Sequence, residues 1–376
     1  MDRRDFLTAS AGAALAAALA QKADAAPDNS TGEWRNRQSG MAYRRLGRTG
    51  FMVSEVVMGG VQINPDRWEH ILPALDRGLN YLDTASAYGR GQSEIAYAKV
   101  IQARPRDSFF LSSKVSSWPD DRDKLFQDIY DSLDESERKR IDAAASEEIE
   151  RQRMLADDHL VGYFGGQRGQ VEASARSLAM EKKYGGKIDR PRHHKAAIIE
   201  SVEASLKRLG TDYLDIVHCP HGASTENDLN GYPEIFEAFE QLKKAGKARH
   251  LGFSAHNNPG ATLAAAVETG MYSMGMVAYN IVNEPYVRPA LEKAKKAGVG
   301  VVAMKVARAV YNGRGDGTQD DPARVARMHE LVPGSLKVPQ KAYLWGLRNE
   351  NLTAVISNMT DLAMVDDNLP LAGKKK

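Results

Sequence analysis

Cysteine is almost missing from this chain: Cys219 is the one such residue among 376. That excludes an intramolecular disulfide and the multi-thiolate sets that hold iron–sulfur clusters. Excess charge is missing as well. The 51 Lys and Arg stand against 49 Asp and Glu for a net +2, so composition points to neither nucleic acid nor an anionic membrane surface. No Gly-x-Gly-x-x-Gly follows an early apolar run, which removes the usual sign of a doubly wound dinucleotide-binding sheet. The alanine-rich stretch from Ala9 to Ala20 is too short and too weakly apolar to span a bilayer.

What is present begins with an address. Arg3-Arg4-Asp5-Phe6-Leu7, the alanine-rich stretch and the small-residue site Ala23-Asp24-Ala25 follow the order of a twin-arginine export signal over residues 1–25. A frayed alanine-rich helix is the plainer alternative. The signal predicts a periplasmic or otherwise exported protein, with the twin-arginine translocase as a partner during export and no stable membrane anchor. It holds three basic residues (Arg3, Arg4, Lys22) and three acidic ones (Asp2, Asp5, Asp24), so its removal leaves the net charge unchanged. Export by this route, as a class, carries folded proteins, often with cofactor already bound. Residues 26–40 read as a polar linker.

Beyond the linker, short apolar runs alternate with amphipathic helices. Candidate strands are Asn80 to Ala85, Phe109 to Val115, Tyr213 to Cys219, Ala248 to Ser254, Met274 to Asn280, Gly298 to Lys305 and Leu352 to Ser357, with a weaker first strand at Val56 to Gly59. Charged helices such as Pro233 to Ala245 and Arg288 to Ala297 lie between them, each closed by glycine. Strand and helix in alternation imply parallel pairing, and eight units fit a closed α/β (β/α)8 barrel over residues 41–370. The length exceeds the roughly 250 residues such a barrel needs. The surplus lies at residues 116–193, a helical insertion after the third strand and so on the catalytic face. Within it Asp134 to Leu155 should be helical, while Gly162 to Gly169 and Gly185 to Pro191 read as loops. The insertion reads either as a lid or substrate wall, or as a solvated helical excursion.

The most informative segment is Asp83-Thr84-Ala85-Ser86-Ala87-Tyr88-Gly89, joined by Lys114 at the end of the next apolar run. A tyrosine that donates a proton near neutral pH needs its pKa drawn down from about 10, and a buried lysine held by a carboxylate acts in that direction. With Ser113-Lys114-Val115, the segment resembles the aldo-keto reductase family, whose second strand ends Asp-Thr-Ala-x-x-Tyr-Gly. The resemblance runs from about Met41 to about Asn368. It implies that Arg44 to Phe51 forms a hairpin plugging the barrel bottom and that the activity is nicotinamide-dependent oxidoreduction of a small-molecule carbonyl or alcohol substrate. Asp83, Tyr88 and Lys114 are then catalytic, with a histidine that directs the carbonyl. Two histidines compete in His218-Cys219-Pro220-His221. His218 falls two residues early, about 7 Å deeper in the barrel, and His221 one late. A strand-end irregularity at proline absorbs one extra residue more easily than a barrel loses two, which favours His221.

For the cofactor, NADP or NAD, the resemblance implies Ser254 on the carboxamide, Met304 where an aromatic ring often stacks, Lys305 at the end of strand seven, and the final Asn368. Ala255, Met276 and Met364 stand where the family carries asparagine, glutamine and arginine, and losing that arginine weakens phosphate recognition. A non-redox binding or regulatory barrel is therefore the runner-up. A metal-dependent hydrolase using Asp215, His218 and His221, or an aldolase with Lys114 as Schiff-base lysine, stands further back.

Overall fold

In the computed structural model the described residues are 32–312 and 319–374; the expected export signal, residues 1–25, and the first residues of the linker lie outside them. Three short strands come first: β1 (Glu33–Trp34), β2 (Tyr43–Arg45) and β3 (Phe51–Ser54). β3 pairs antiparallel with β2 and parallel with β1. The barrel strands follow as β4 (Val56–Gly59), β5 (Tyr81–Asp83), β6 (Phe110–Lys114), β7 (Leu214–His221), β8 (Ala248–Ala255), β9 (Met274–Ala278) and β10 (Gly300–Met304). After a small antiparallel pair, β11 (Tyr311–Asn312) and β12 (Gln319–Asp320), β13 (Ala354–Ser357) closes the ring between β10 and β4. The eight barrel strands are all parallel, because each strand is followed by a helix that returns the chain to the same end. All eight expected strands are present within a few residues, and a closed barrel replaces the doubly wound alternative.

The bottom of the barrel is filled from the hairpin. Leu46, Phe51 and Val53 pack with Val57, Phe110, Ile216 and Val302 from the strands. Gly47 makes the close approach: its φ is +49°, and a Cβ there would overlap the Gly300 backbone. Beside this plug Asp215, fully buried, is met by Arg35, Arg106 and Arg249 at 3.0, 2.8 and 2.8 Å and accepts the Leu111 N–H at 3.0 Å. The linker expectation is corrected in its described part. Arg35 and Asn36 are docked under the barrel, Arg35 donating to the Phe109 carbonyl at 2.7 Å and Asn36 to the Leu79 carbonyl at 3.0 Å.

Between β6 and the helix Ala197–Leu209 stand three helices, Ser117–Asp131, Glu135–Arg151 and Gln167–Tyr184. The second starts where Asp134 caps the Glu137 N–H. The expected loop at Gly162 to Gly169 ends early, because the third helix already begins at Gln167 and absorbs Gly169; its apolar face, with Val171, Ala175, Ala179 and Met180, supplies the reason. The three helices share a small core of their own around Phe126, Ile141 and Met180. No helix among the described residues is long and apolar enough to cross a membrane.

Asp215→Ala leaves three guanidinium groups without their shared anion. The expected cost is about 3–5 kcal/mol, the range for breaking a buried ion pair from one side. Urea denaturation checks it, as a lower midpoint at an unchanged slope.

Candidate active site

β5 and β6 pair in register with Asp83 opposite Ser112, and β6 pairs with β7 with Lys114 opposite His218. That places Asp83 and Lys114, 1% and 2% exposed, side by side in the barrel. The Lys114 ammonium donates to Asp83 Oδ2 at 2.5 Å and to the Thr84 carbonyl at 2.7 Å. Asp83 Oδ1 accepts from the Ser112 hydroxyl at 2.7 Å, and Ser112 in turn accepts from Tyr81 at 3.2 Å. Each charge is thus paired and each carboxylate oxygen accepts a hydrogen bond, which is the condition for keeping an ion pair out of water.

Tyr88 follows β5 in a tight turn. Gly89 and Gly91, at φ +57° and +88°, adopt left-handed geometry that other residues resist, and the turn folds Tyr88 back over Lys114, whose ammonium lies 4.7 Å from the ring centroid. Burial raises the Tyr88 phenol above its ordinary value; the Lys114 cation pulls it down but does not overcome burial. The expected net lowering is therefore corrected: Lys114 acts in the expected direction and desolvation wins. For Lys114, burial works to lower the pKa, and Asp83 and Tyr88 outweigh it and leave it raised. An ammonium held in that form is a poor Schiff-base nucleophile, which disfavours the aldolase alternative.

The two histidines separate at the end of β7. β7 and β8 pair His218 with Gly252 and His221 with Ser254, so β7 carries one extra residue between these points. His218 lies fully buried below the mouth, its Nδ1 3.1 Å from the Phe253 carbonyl and its Nε2 3.8 Å from Asp83 Oδ1. His221 is partly exposed, with its ring edge-to-face with Tyr88 at 5.9 Å between centroids. Burial, together with the Lys114 charge, lowers both, His218 to about 4 and His221 well below the usual imidazole value, so both are neutral near pH 7. Asp83, Lys114, Tyr88 and His221 therefore meet at the mouth. Asp215, the third ligand in the hydrolase alternative, is instead engaged by arginines beside the plug.

The residues expected at the cofactor lie at the ends of β8 and β10 and in the helix after β13. Ser254 is buried, its hydroxyl accepting the Gly222 N–H at 3.3 Å. Met304 faces inward with Met276 and Ile356. Lys305, in left-handed backbone at φ +62°, is lowered to about 8 by burial and Arg308. Asn368 donates to the Ser357 hydroxyl at 3.1 Å, tying the last helix to β13. Ala255 and Met276 are buried, whereas Met364 is 41% exposed. A nicotinamide dinucleotide fits this set in part. His256 Nδ1 is a buried polar atom with no partner among the described residues, and Lys305 is a partly buried cation with no ion-pair partner among the described residues, so the mouth retains polar capacity for an anionic ligand. Ser254, Lys305 and Asn368 would hold such a group, with Met304 packed against it.

Several residues at the mouth were not expected from sequence. Tyr163, from the insertion, accepts from Asn280 at 2.7 Å and Asn283 at 3.4 Å, and Phe164 stands 5.4 Å from His256. Gln167 donates to Asn257 at 2.9 Å, and Gln152 meets Asn258. The insertion thus packs over the ends of β8 and β9 rather than standing free in solvent. Local pattern carries no signal for these contacts, which join residues far apart in sequence. A cleft of about 490 Å³ lies on the opposite side, between Ser86, Ser116, Asp120 and Glu200. The larger one, about 550 Å³, lies within the insertion between Asp142 and Arg176 and away from Tyr88.

A model of the aldo/keto reductase family matches residues 58–156 and 180–369, leaving out the stretch that holds Tyr163 and Phe164. Among curated proteins, the chain is similar to the aldo-keto reductase AMT2 of Alternaria alternata, 26% identical over 235 residues, which are 58% of this chain and 51% of that protein. The chain spans about half the length of the curated relatives it matches first. Among solved structures it is similar to the holo form of aldo-keto reductase AKR11C1 from Bacillus halodurans, with TM-score 0.56 and 20% identity over 89% of this chain and 91% of that one. It is also similar to an aldo-keto reductase from Klebsiella pneumoniae in complex with NADPH, with TM-score 0.53 and 19% identity over 88% and 89% of the two chains. At these identities the structural likeness speaks for the fold.

A buried neutral histidine ties stability to pH. The folded pKa of His218 is depressed to about 4, so its contribution is complete above the unfolded value of about 6.5 and is lost as pH falls towards 4, up to about 3 kcal/mol. His218→Asn keeps an N–H for the Phe253 carbonyl and removes the titration. Unfolding free energy measured between these pH values should fall less steeply in the variant, by about one proton.

Proposed function

The chain belongs to the aldo/keto reductase family, and from that premise we propose that it is an NAD- or NADP-dependent oxidoreductase that reduces a small carbonyl compound or oxidises the corresponding alcohol. The observation that carries this reading is the buried Asp83–Lys114 pair under Tyr88, with His221 beside the ring. Ser254, Lys305 and Asn368 would hold a nicotinamide, which would supply or accept the hydride when bound. The chain's own residues manage the proton. Tyr88, kept protonated by burial, has the form that reduction requires, and its hydroxyl donates to the carbonyl oxygen as negative charge develops there. The phenolate left behind lies against the Lys114 cation, which Asp83 and the Thr84 carbonyl hold in place. His221 adds a second polar group at the same oxygen. In the alcohol direction the phenolate must form first, so a raised phenol favours reduction over oxidation at neutral pH.

Tyr88→Phe deletes the hydroxyl and little else. Carbonyl reduction should fall by at least about a hundredfold, the lower end for losing a positioned general acid, while nicotinamide affinity measured by calorimetry changes less than about threefold. A variant that still turns over at the parent rate removes Tyr88 from the proton-donor role.

The twin-arginine signal supports export to the periplasm or beyond, where free nicotinamide nucleotide is scarce. A reductase loaded before transport could then pass hydride between paired alcohol and carbonyl substrates without releasing its cofactor, and the insertion contacts over β8 and β9 are placed to help retain it. Protein purified from the exported fraction should release NAD or NADP on denaturation. Nucleotide-free protein that binds neither at millimolar concentration would favour the non-redox reading, with Ala255, Met276 and Met364 as its basis.

A further inference from the structure

Ser116 stands two residues beyond Lys114, where β6 gives way to the Ser117–Asp131 helix. It occupies the position before that helix, yet its hydroxyl makes no capping bond to it. Its Oγ lies instead 2.7 Å from His221 Nδ1, and 3.4 Å from both the Lys114 carbonyl and the Ala87 N–H. The chemistry of these partners leaves two proton arrangements. The Ala87 amide can only donate and the Lys114 carbonyl can only accept, so the single hydroxyl proton goes either to that carbonyl or to Nδ1. At 3.4 Å the carbonyl is at the edge of hydrogen bonding, whereas 2.7 Å is a well-formed contact. A proton given to Nδ1 requires that nitrogen to be bare. His221 is neutral in its setting, so its own proton then resides on Nε2. The opposite arrangement would leave Nε2 as an acceptor, facing the lone pairs of a carbonyl oxygen with nothing to offer.

We propose that Ser116 is a positioning residue that holds His221 in the Nε2–H form, so that the Tyr88 hydroxyl and the His221 Nε2–H can both donate to one carbonyl oxygen. The assignment rests on the reductase reading for its consequence, but the hydrogen bond itself does not. Because Ser116 lies on the β6 end and His221 beyond the extra residue of β7, the bond also fixes that irregular strand end against its neighbour. It therefore orients the ring as well as choosing the tautomer.

The test uses the full exported chain labelled with ¹⁵N-histidine, with the His221 signals assigned by their loss in His221→Ala. The parent should show Nε2 protonated and Nδ1 bare. In Ser116→Ala, His221 should become a mixture of tautomers, and kcat for reduction of a nitrobenzaldehyde should fall about 10- to 100-fold with KM changed less than about threefold. Ser116→Thr, which keeps the hydroxyl, should restore both the spectrum and kcat. A parent His221 protonated on Nδ1, or a His221 spectrum unchanged in Ser116→Ala, overturns the proposal. A tautomer shift in a protein that reduces no carbonyl with either nicotinamide upholds the Ser116 assignment and overturns the reductase reading instead.

Discussion

Lys114 carries a positive charge inside a barrel whose core is largely Met, Val, Phe and Ile, and much of the surrounding structure is arranged to make that tolerable. An isolated ammonium at that depth would lose its proton. Asp83 is therefore on the neighbouring strand within reach of the ammonium, with Ser112 and Tyr81 extending the chain of donors, and the Thr84 carbonyl takes a second ammonium proton. The same charge repels protons from His218 and His221 and offers Tyr88 a counter-ion for the phenolate. Burial is the larger influence on each of these groups and the cation the second, and the left-handed turn at Gly89 and Gly91 follows directly on Tyr88.

The barrel could be read from the chain because its signals are local. Each of Ala248–Ala255 and Met274–Ala278 is a short run before a glycine-closed helix, and that alternation allows few topologies. Asp83, Tyr88 and Lys114 were legible for the same reason, since each ends or follows such a run. Long-range packing was not legible. Arg35 reads as a linker residue until Asp215, 180 positions away, is seen to need it. Tyr163 sits in a stretch whose glycines suggest only a loop. The direction of the Tyr88 shift also escaped sequence reasoning, because charge type can be read from residue identity whereas the depth of burial that opposes it cannot. Ser116 had one available signal: two residues past Lys114, it continues the same face of the strand.

The insertion behaves as a layer with its own interior. Phe126, Ile141 and Met180 hold its three helices to one another. Its attachment to the barrel is largely polar by comparison: Gln167 to Asn257, Tyr163 to Asn280, Gln152 to Asn258, and the buried Arg122 to Asp228. Trp118, bonded to His194 at 3.1 Å, is an aromatic anchor between the two. A layer joined through directional contacts and few apolar ones has the make-up of a unit that opens locally while its support stays folded.

The strand assignment of the site has a further consequence. Asp83, Lys114 and His221 belong to the contiguous strands β5, β6 and β7, while Ser254 is at the end of β8, Lys305 follows β10 and Asn368 ends the helix after β13. The two sets meet where β7 pairs with β8: His221 lies opposite Ser254, and the Gly222 N–H donates to the Ser254 hydroxyl. The β7–β8 ladder therefore couples the two sides of the mouth, so that a change at Ser254 reaches the backbone beside His221 in a single step.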